Sequence, residues 1–352
     1  MTTVSARGRR LLSAVPRRRW EPWRDWAVIA LANHAVLVAV AVLHPGTGLL
    51  LLAGLPLGLG FAVGTLTVLH DAGHRMYSPR LWPNAVAVQT STPGGLWAGH
   101  WTLKHKIHHK LSQVYPYDEA TRSSSLVRLH PAAARNRWQR QQHVYAWGLY
   151  GLAWVGELRS QLRFLRDGQI AETPTVPARW RLGSFAAEKV LCALVLLPYA
   201  LVIGVGRLGL LLVVAETAAS VIAAVVLVVG HINVTLEPLA VPPRGAAWTA
   251  NLMRSTASFS TGNRWARWLT GGMTHHLAHH LRPVAVRSEL PVLHATVVQD
   301  AGRQTGLPVV EFATFGSAVA GHWRRLRELG RPPVVAAGAT AARAVRVDEL
   351  VA

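Results

Sequence analysis

The chain has 352 residues, with 37 Lys and Arg against 17 Asp and Glu, for a formal net charge of +20. Only 15% of residues are charged and 51% are hydrophobic, which excludes a disordered basic tail for most of its length. One cysteine excludes a disulfide framework, a cysteine-based zinc site and a cysteine-ligated iron–sulfur cluster, and 17 histidines stand out.

Residues 1–26 form a basic segment that carries Arg7, Arg9, Arg10, Arg17, Arg18, Arg19 and Arg24. Four apolar stretches follow, each long enough to cross a bilayer at about 1.5 Å per residue. They run from about Ala27 to Leu43, Leu49 to Leu69, Ala187 to Val205 and Leu208 to Gly230. A short link at His44-Pro45-Gly46 joins the first two, and a turn at Gly206 and Arg207 joins the last two. The spacing predicts two transmembrane hairpins, over 27–69 and 187–230. The first span has no small-residue cleavage site after Leu43 and reads as a retained anchor.

Between the hairpins, region 70–186 holds two half-apolar stretches. Asn84 to Trp101 is broken at Thr92-Pro93-Gly94-Gly95, and His143 to Leu165 is interrupted by Glu157, Arg159 and Arg163. Both read as interfacial or buried amphipathic helices, with Trp138, Trp147 and Trp154 near headgroup level. Region 231–334 is polar, and the Ala/Val/Arg-rich segment 335–352 reads as a disordered tail. Arginines crowd the segments outside the hairpin turns, so the positive-inside rule places both termini and the middle region in the cytoplasm. The fold expected is an all-α integral membrane protein, four transmembrane helices in two hairpins with a cytoplasmic helical cap. The net charge then faces an anionic leaflet. No nucleic-acid-binding motif accompanies it.

The histidines fall at the cytoplasmic ends of the spans. His70 and His74 close the second span, His105, His108 and His109 follow, His231 ends the fourth, and His276, His279 and His280 lie beyond it. Residues three and four apart share a helix face, so each cluster points one way. Nine imidazoles exceed the ligands of a single zinc site, and two metals sharing them is the economical reading. His34, His44, His130, His143, His294 and His322 read as ordinary core or surface residues. His100 lies close to the second cluster and is a candidate to support its ligands, and His275 adjoins the third cluster but is out of its spacing.

The strings His70–His74, His105–His109 and His276–His280 resemble the three histidine boxes of the membrane fatty acid desaturase family, relatives of membrane hydroxylases. Gly271-Gly272-Met273-Thr274, Leu281-Arg282-Pro283, Trp101 and Asp118 are similar to the family's flanking positions, and the resemblance spans about Thr65 to Pro283. It implies a non-haem di-iron centre, with His231 completing the ligand set. It also implies an O2-dependent oxidoreductase that removes two hydrogens from an acyl chain carried on a lipid, coenzyme A or acyl carrier protein. Iron suits neutral imidazoles and oxygen chemistry, whereas zinc has no redox chemistry. The chain has no Glu-x-x-His pair of the carboxylate di-iron type.

Asp71, Asp118 and Asn233 are candidates to hydrogen-bond the ligand imidazoles. Gly73 is expected to admit another backbone or the metal. Arg75, Lys110, Arg122 and Arg128 are candidates for an anionic headgroup, coenzyme A or a carrier, beside leaflet attraction. Glu216 lies inside the fourth span, where a charge costs about 2.5–3.5 kcal/mol, and is expected to face the bundle or to be neutral, without a catalytic role. No haem domain, dinucleotide fingerprint or rubredoxin-type cysteine pattern appears. The expected electron donor is therefore a separate protein, such as ferredoxin with its reductase. The Arg and Ala bias suggests a GC-rich bacterial genome and the cell membrane. Hydroxylation, acetylenation or carotenoid oxygenation on the same scaffold is the alternative, and metal transport is the remote one.

Overall fold

A computed structural model describes residues 19–119, 122–171, 173–233 and 246–332. Most of the basic N-terminal segment and the tail 335–352 lie outside the described residues. The fold is mostly helical. Helix α1 spans Glu21–Leu43, and α2 spans Thr47–Gly73. Four short helices follow: α3 at Leu81–Ser91, α4 at Ala98–Lys110, α5 at Gln142–Tyr150 and α6 at Ala153–Asp167. Then come the long helices α7, Ala178–Ile203, and α8, Val205–Val229.

Helices α1, α2, α7 and α8 have 23, 27, 26 and 25 residues and are apolar enough to cross a membrane. At about 1.5 Å per residue each exceeds a hydrocarbon core of about 30 Å. Their outer faces carry Leu31, Leu43, Leu52, Leu194 and Leu201, all exposed. Such a surface belongs in lipid, and the chain is a membrane protein. Their inner faces close around Leu37, Leu57, Phe61, Leu211 and Ala215. Helix α2 lies tightly on α8 because Gly54 and Gly58 face it. A Cβ on Gly54 would fall 2.6 Å from Val214 Cγ1, and one on Gly58 2.7 Å from the Ala215 carbonyl. Small residues four apart are the usual device for close helix contact in lipid.

The third and fourth long helices part at Gly204, whose φ of 84° favours glycine, and Gly206 and Arg207 lie inside α8. This corrects the turn expected at 206–207. Helix α7 also starts nine residues before the apolar run, because Ala178–Ala186 continues the helix on a more polar sequence.

Beyond α8 come α9 (Ala246–Ser255), β1 (Ser258–Phe259), α10 (Arg264–Leu269), α11 (His276–Leu281), α12 (Leu290–Leu293, continued by a π-helical turn His294–Val298 and by Gln299–Thr305), β2 (Glu311–Phe312) and α13 (Phe315–Gly330). Strands β1 and β2 pair in parallel, Ser258 with Glu311 and Phe259 with Phe312. The expectation of purely helical structure misses this bridge, since two residues are too few to show an alternating pattern. Leu252, Met253, Leu277, Leu281, Leu290 and Val297 form a second core directly behind α11. These elements meet one end of the long helices. Glu21 at the start of α1 accepts from Ser288 N at 3.2 Å, and Ala257 N donates to Gly230 O at 2.8 Å, just past α8.

Candidate metal centre

Each ligand cluster sits where its helix ends or bends. The last turns of α2 include a π-helical segment, Thr65–Leu69, immediately before His70. Such a segment widens a helix and is common at functional sites. Gly271, with φ 60°, fits against the Leu66 backbone there, where any side chain would overlap the carbonyl. That contact brings the segment leading into α11 against the end of α2. His231 follows α8 directly, and α4 carries His105, His108 and His109 along one face.

The structure gathers all nine candidate ligands into two adjoining groups. His70, His74, His105, His109 and His279 form one, and His108, His231, His276 and His280 form the other. Within each group the donor atoms lie within 4.8 Å of one another. The rings of His109 and His280 are 4.3 Å apart between the groups. None of the other eight histidines belongs to either group. His34 binds Tyr199 and the Thr90 carbonyl, and His322 binds Tyr150 and the Ile232 carbonyl. His275 contacts Thr274, and His294 contacts Glu311. His130 stacks on Tyr115, His143 packs edge-on against Trp323, and His44 caps α1.

The donor set fits metal. In the first group, Nε2 atoms approach at 2.8 Å (His74 and His105), 3.0 Å (His105 and His109), 3.0 Å (His109 and His279) and 2.9 Å (His279 and His70). His105, His109 and His279 each face two neighbours through one nitrogen. A neutral ring nitrogen offers one in-plane site, as donor or acceptor, so hydrogen bonds cannot satisfy the whole chain. Ring nitrogens about 2.0–2.1 Å from a shared cation, and near right angles to one another around it, would lie about 3 Å apart. In the second group, His231 Nε2, His276 Nδ1 and both His280 nitrogens are buried without a hydrogen-bond partner. Orphaned buried polar atoms of this number call for an ion.

Electrostatics keeps these rings in the ligating form. Burial, then neighbouring imidazoles, lowers the pKa of His105, His109, His276, His279 and His280 well below the ordinary value. His74 is lowered to about 2 and His231 to about 3, again chiefly by burial. Neutral imidazole is what a metal binds.

The profile described as Fatty acid desaturase matches residues 45–313. The chain belongs to that family. It is 26% identical over 290 residues to an sn-1 linoleoyl-lipid 6-desaturase of Synechocystis sp., covering 80% of each chain. A protein of the same name from Arthrospira platensis is 23% identical over 294 residues, 80% of this chain and 78% of that one. An acyl-lipid (8-3)-desaturase of Physcomitrium patens is 23% identical over 285 residues, 75% of this chain and 57% of that one. The family match extends beyond the Thr65–Pro283 stretch that carries the motifs. This desaturase-family chain is accordingly an oxidoreductase of lipid metabolism.

The surroundings of the ligands in this family member divide into the foreseeable and the unforeseen. His108 Nδ1 donates to Asp118 Oδ2 at 3.0 Å, and Gln113 N donates to the same oxygen at 2.8 Å. Burial alone would raise the Asp118 pKa, but His108 and the Gln113 amide pull it below the usual carboxylate range. Asp71 lies 3.8 Å from His70 Nδ1, beyond a hydrogen bond, and its backbone carbonyl accepts from Met76 N at 3.0 Å. Asn233 Nδ2 donates to Val229 O at 3.4 Å, within its own helix end. At Gly73 the missing side chain makes room for a neighbouring side chain, the Trp101 ring, which stacks on His105 at 4.3 Å.

Arg128 is buried and braces the carbonyls of Ala133 and Leu329 at 2.8 Å each, which removes it as a headgroup contact. Arg122 pairs with Glu119. Arg75 and Lys110 are exposed. Glu216 packs against the backbone of Gly94 in the loop between α3 and α4, so it does face the bundle.

Sequence reasoning missed two clamps on α4. Glu188 of α7 accepts from Ala98 N at 2.7 Å and Gly99 N at 3.0 Å, capping the first turn. Glu157 of α6 accepts from His100 Nδ1 at 2.9 Å and Lys104 Nζ at 2.6 Å. A carboxylate inside an apolar helix was the available signal for Glu188. It also missed the Ser255 carbonyl, 2.6 Å from His231 Nδ1.

Proposed function

We propose that the chain is a membrane-bound, O2-dependent desaturase that introduces a double bond into the acyl chain of a membrane lipid, using two iron ions. The observation that carries this reading is the gathering of nine imidazoles into adjoining groups of five and four. His70, His74, His105, His109 and His279 would hold one iron, and His108, His231, His276 and His280 the other. When bound, the irons supply the oxidising power to remove hydrogen from an unactivated methylene. Overall, a CH2–CH2 unit, O2, two electrons and two protons give CH=CH and two waters. An all-histidine set leaves the carboxylates free for other work. Asp118 holds His108 with its proton on Nδ1, and the Ser255 carbonyl does the same for His231. Asp71 lies 3.8 Å from His70 Nδ1, too far for a hydrogen bond, and is assigned no part in holding that ring.

The relatives' names favour a lipid-borne acyl chain over coenzyme A or acyl carrier protein. The four long helices form two hairpins in the cell membrane. The histidine-bearing cap and both termini face the cytoplasm, where arginine is abundant. Electrons arrive from a separate carrier such as ferredoxin with its reductase.

Expression in a bacterial host with an electron-donor system, followed by mass spectrometry of total lipids, tests this. The expected result is lipids two mass units lighter, absent with His108→Ala, and two irons per purified chain. Products sixteen units heavier would move the assignment to hydroxylation. Iron-free protein after reconstitution would sink the reading.

A further inference from the structure

A string of polar aromatic side chains begins beside His231 and ends at the surface. The carbonyl of Ile232, the residue after that ligand, accepts from His322 Nδ1 at 2.7 Å. A carbonyl only accepts, so the His322 proton is on Nδ1 and its Nε2 is bare. The Tyr150 hydroxyl, 2.7 Å from Nε2, is therefore the donor there. Both side chains are buried. Trp147 stands one turn before Tyr150 on α5, its ring 6.0 Å from Tyr150 and 5.8 Å from His322. Its indole N–H donates to the His143 carbonyl at 2.9 Å, and the His143 ring meets Trp323 edge-on at 5.2 Å. Trp323 follows His322 on α13 and is 37% exposed.

Packing alone does not ask for this set. Phe and Leu would fill the space between α5 and α13 without polar atoms to satisfy. Tyr and Trp are among the side chains that most readily lose one electron, and rings at these spacings are close enough to pass one along. Burial pushes the Tyr150 pKa up and lowers that of His322 to about 4, so neither is charged at rest. A phenol that has lost an electron is a strong acid, and the bare His322 Nε2 is in place to take its proton.

We propose that Tyr150, Trp147 and Trp323 carry electrons from a thiol at the surface to the metal centre when oxygen has reacted there without an acyl chain in place. The inference rests on the proposed desaturation. In that reaction the CH2–CH2 unit supplies two of the four electrons that reduce O2 to water. Without it, two thiols supply them: O2, two donor electrons, two protons and two RSH give two waters and RSSR. In each transfer Tyr150 loses an electron to the centre and its proton to His322 Nε2. Trp147 then returns an electron to Tyr150, which takes its proton back. Trp323 reduces Trp147, releases its indole proton to water and regains a hydrogen atom from the thiol; two thiyl radicals pair as the disulfide. The ligand imidazoles are thereby spared oxidation.

The test uses the full iron-loaded chain in a fluorinated surfactant, which offers no methylene to oxidise, with hydrogen peroxide as oxidant and freeze-quench EPR as readout. The expected signal is a tyrosyl radical that narrows with ring-deuterated tyrosine, is lost in Tyr150→Phe and is retained in Tyr199→Phe. Tyr199 also meets a histidine, His34, at 2.7 Å, but about 30 Å away along the long helices. Trp147→Phe keeps the tyrosine and removes its reductant, so the radical should live longer. Peptide mass spectrometry should find Trp323 oxidised only when iron is present. No radical in iron-replete wild type, or one that survives Tyr150→Phe, would overturn the inference, and so would equal Trp323 oxidation in iron-free protein. If Tyr150→Phe loses iron, the Trp147→Phe lifetime decides, and an unchanged lifetime overturns it. A protein that forms this radical but makes no double bond would fail the desaturase reading alone, so the two failures stay distinct.

Discussion

An imidazole can offer either nitrogen to a metal, and the neighbour of the other nitrogen decides which. Asp118 makes that decision for His108, and the Ser255 carbonyl makes it for His231. Replacing Asp118 with Asn keeps the shape but removes the charge that favours His108 Nδ1–H. Partners of metal ligands are typically worth about 10–100-fold in metal affinity or activity. Asp118→Asn is therefore expected to lower iron retention or turnover by that order while the protein still inserts. Metal analysis beside a turnover assay checks it, and a variant with full iron and full rate would refute the positioning role. Asp118 was readable in the sequence because its side chain does the bonding. Ser255 was not, because a backbone carbonyl carries no residue identity. Gly73 was half readable: glycine signalled a close approach, but only packing could show that Trp101 makes it.

The helix α4 supplies three ligands and is held at two points by carboxylates from other helices. Glu188 accepts two N–H groups of its first turn, where the helix dipole also favours negative charge. Removing such a cap costs about 1 kcal/mol, with a further penalty for N–H groups left buried. Glu188→Ala should destabilise the protein by about 2 kcal/mol and reduce iron content, and Glu188→Gln, which keeps an acceptor oxygen, by about half as much. Denaturation curves in detergent with parallel iron analysis would show it, and equal effects of the two substitutions would count against the cap. At this scale the four long helices were plain in the sequence, because continuous apolar runs have no other home. The break at Gly204, the β1–β2 bridge and the polar start of α7 were not. Each depends on one dihedral angle or on contacts between distant segments, to which a local pattern is blind.

Across the molecule, the buried histidines make stability depend on pH in a known direction. Burial lowers the pKa of His322 and of His130 to about 4, and neither belongs to a ligand group. An unfolded histidine titrates near 6.5. Below that pH the unfolded chain binds protons that the folded chain refuses, so stability falls as pH drops from about 6.5 toward 4 and is level above about 7.5. Each such group contributes up to about 1.4 kcal/mol per pH unit across that window. Unfolding midpoints of the metal-free protein between pH 4.5 and 8.5 would test this, and a midpoint that rises on acidification would contradict it.

The two histidine groups also share their supports. Helix α4 gives His105 and His109 to one group and His108 to the other, while α11 gives His279 to the first and His276 and His280 to the second. Ordering either helix for one ion prepares ligands for its neighbour, so the first ion bears most of the ordering entropy. Loading should then be cooperative. A population short of iron would divide into chains with none and chains with two, a distribution that native mass spectrometry resolves, and single-ion chains in binomial proportion would argue for independent sites. In a cell with scarce iron, such a protein would respond as a digital count of competent molecules, each either complete or inert.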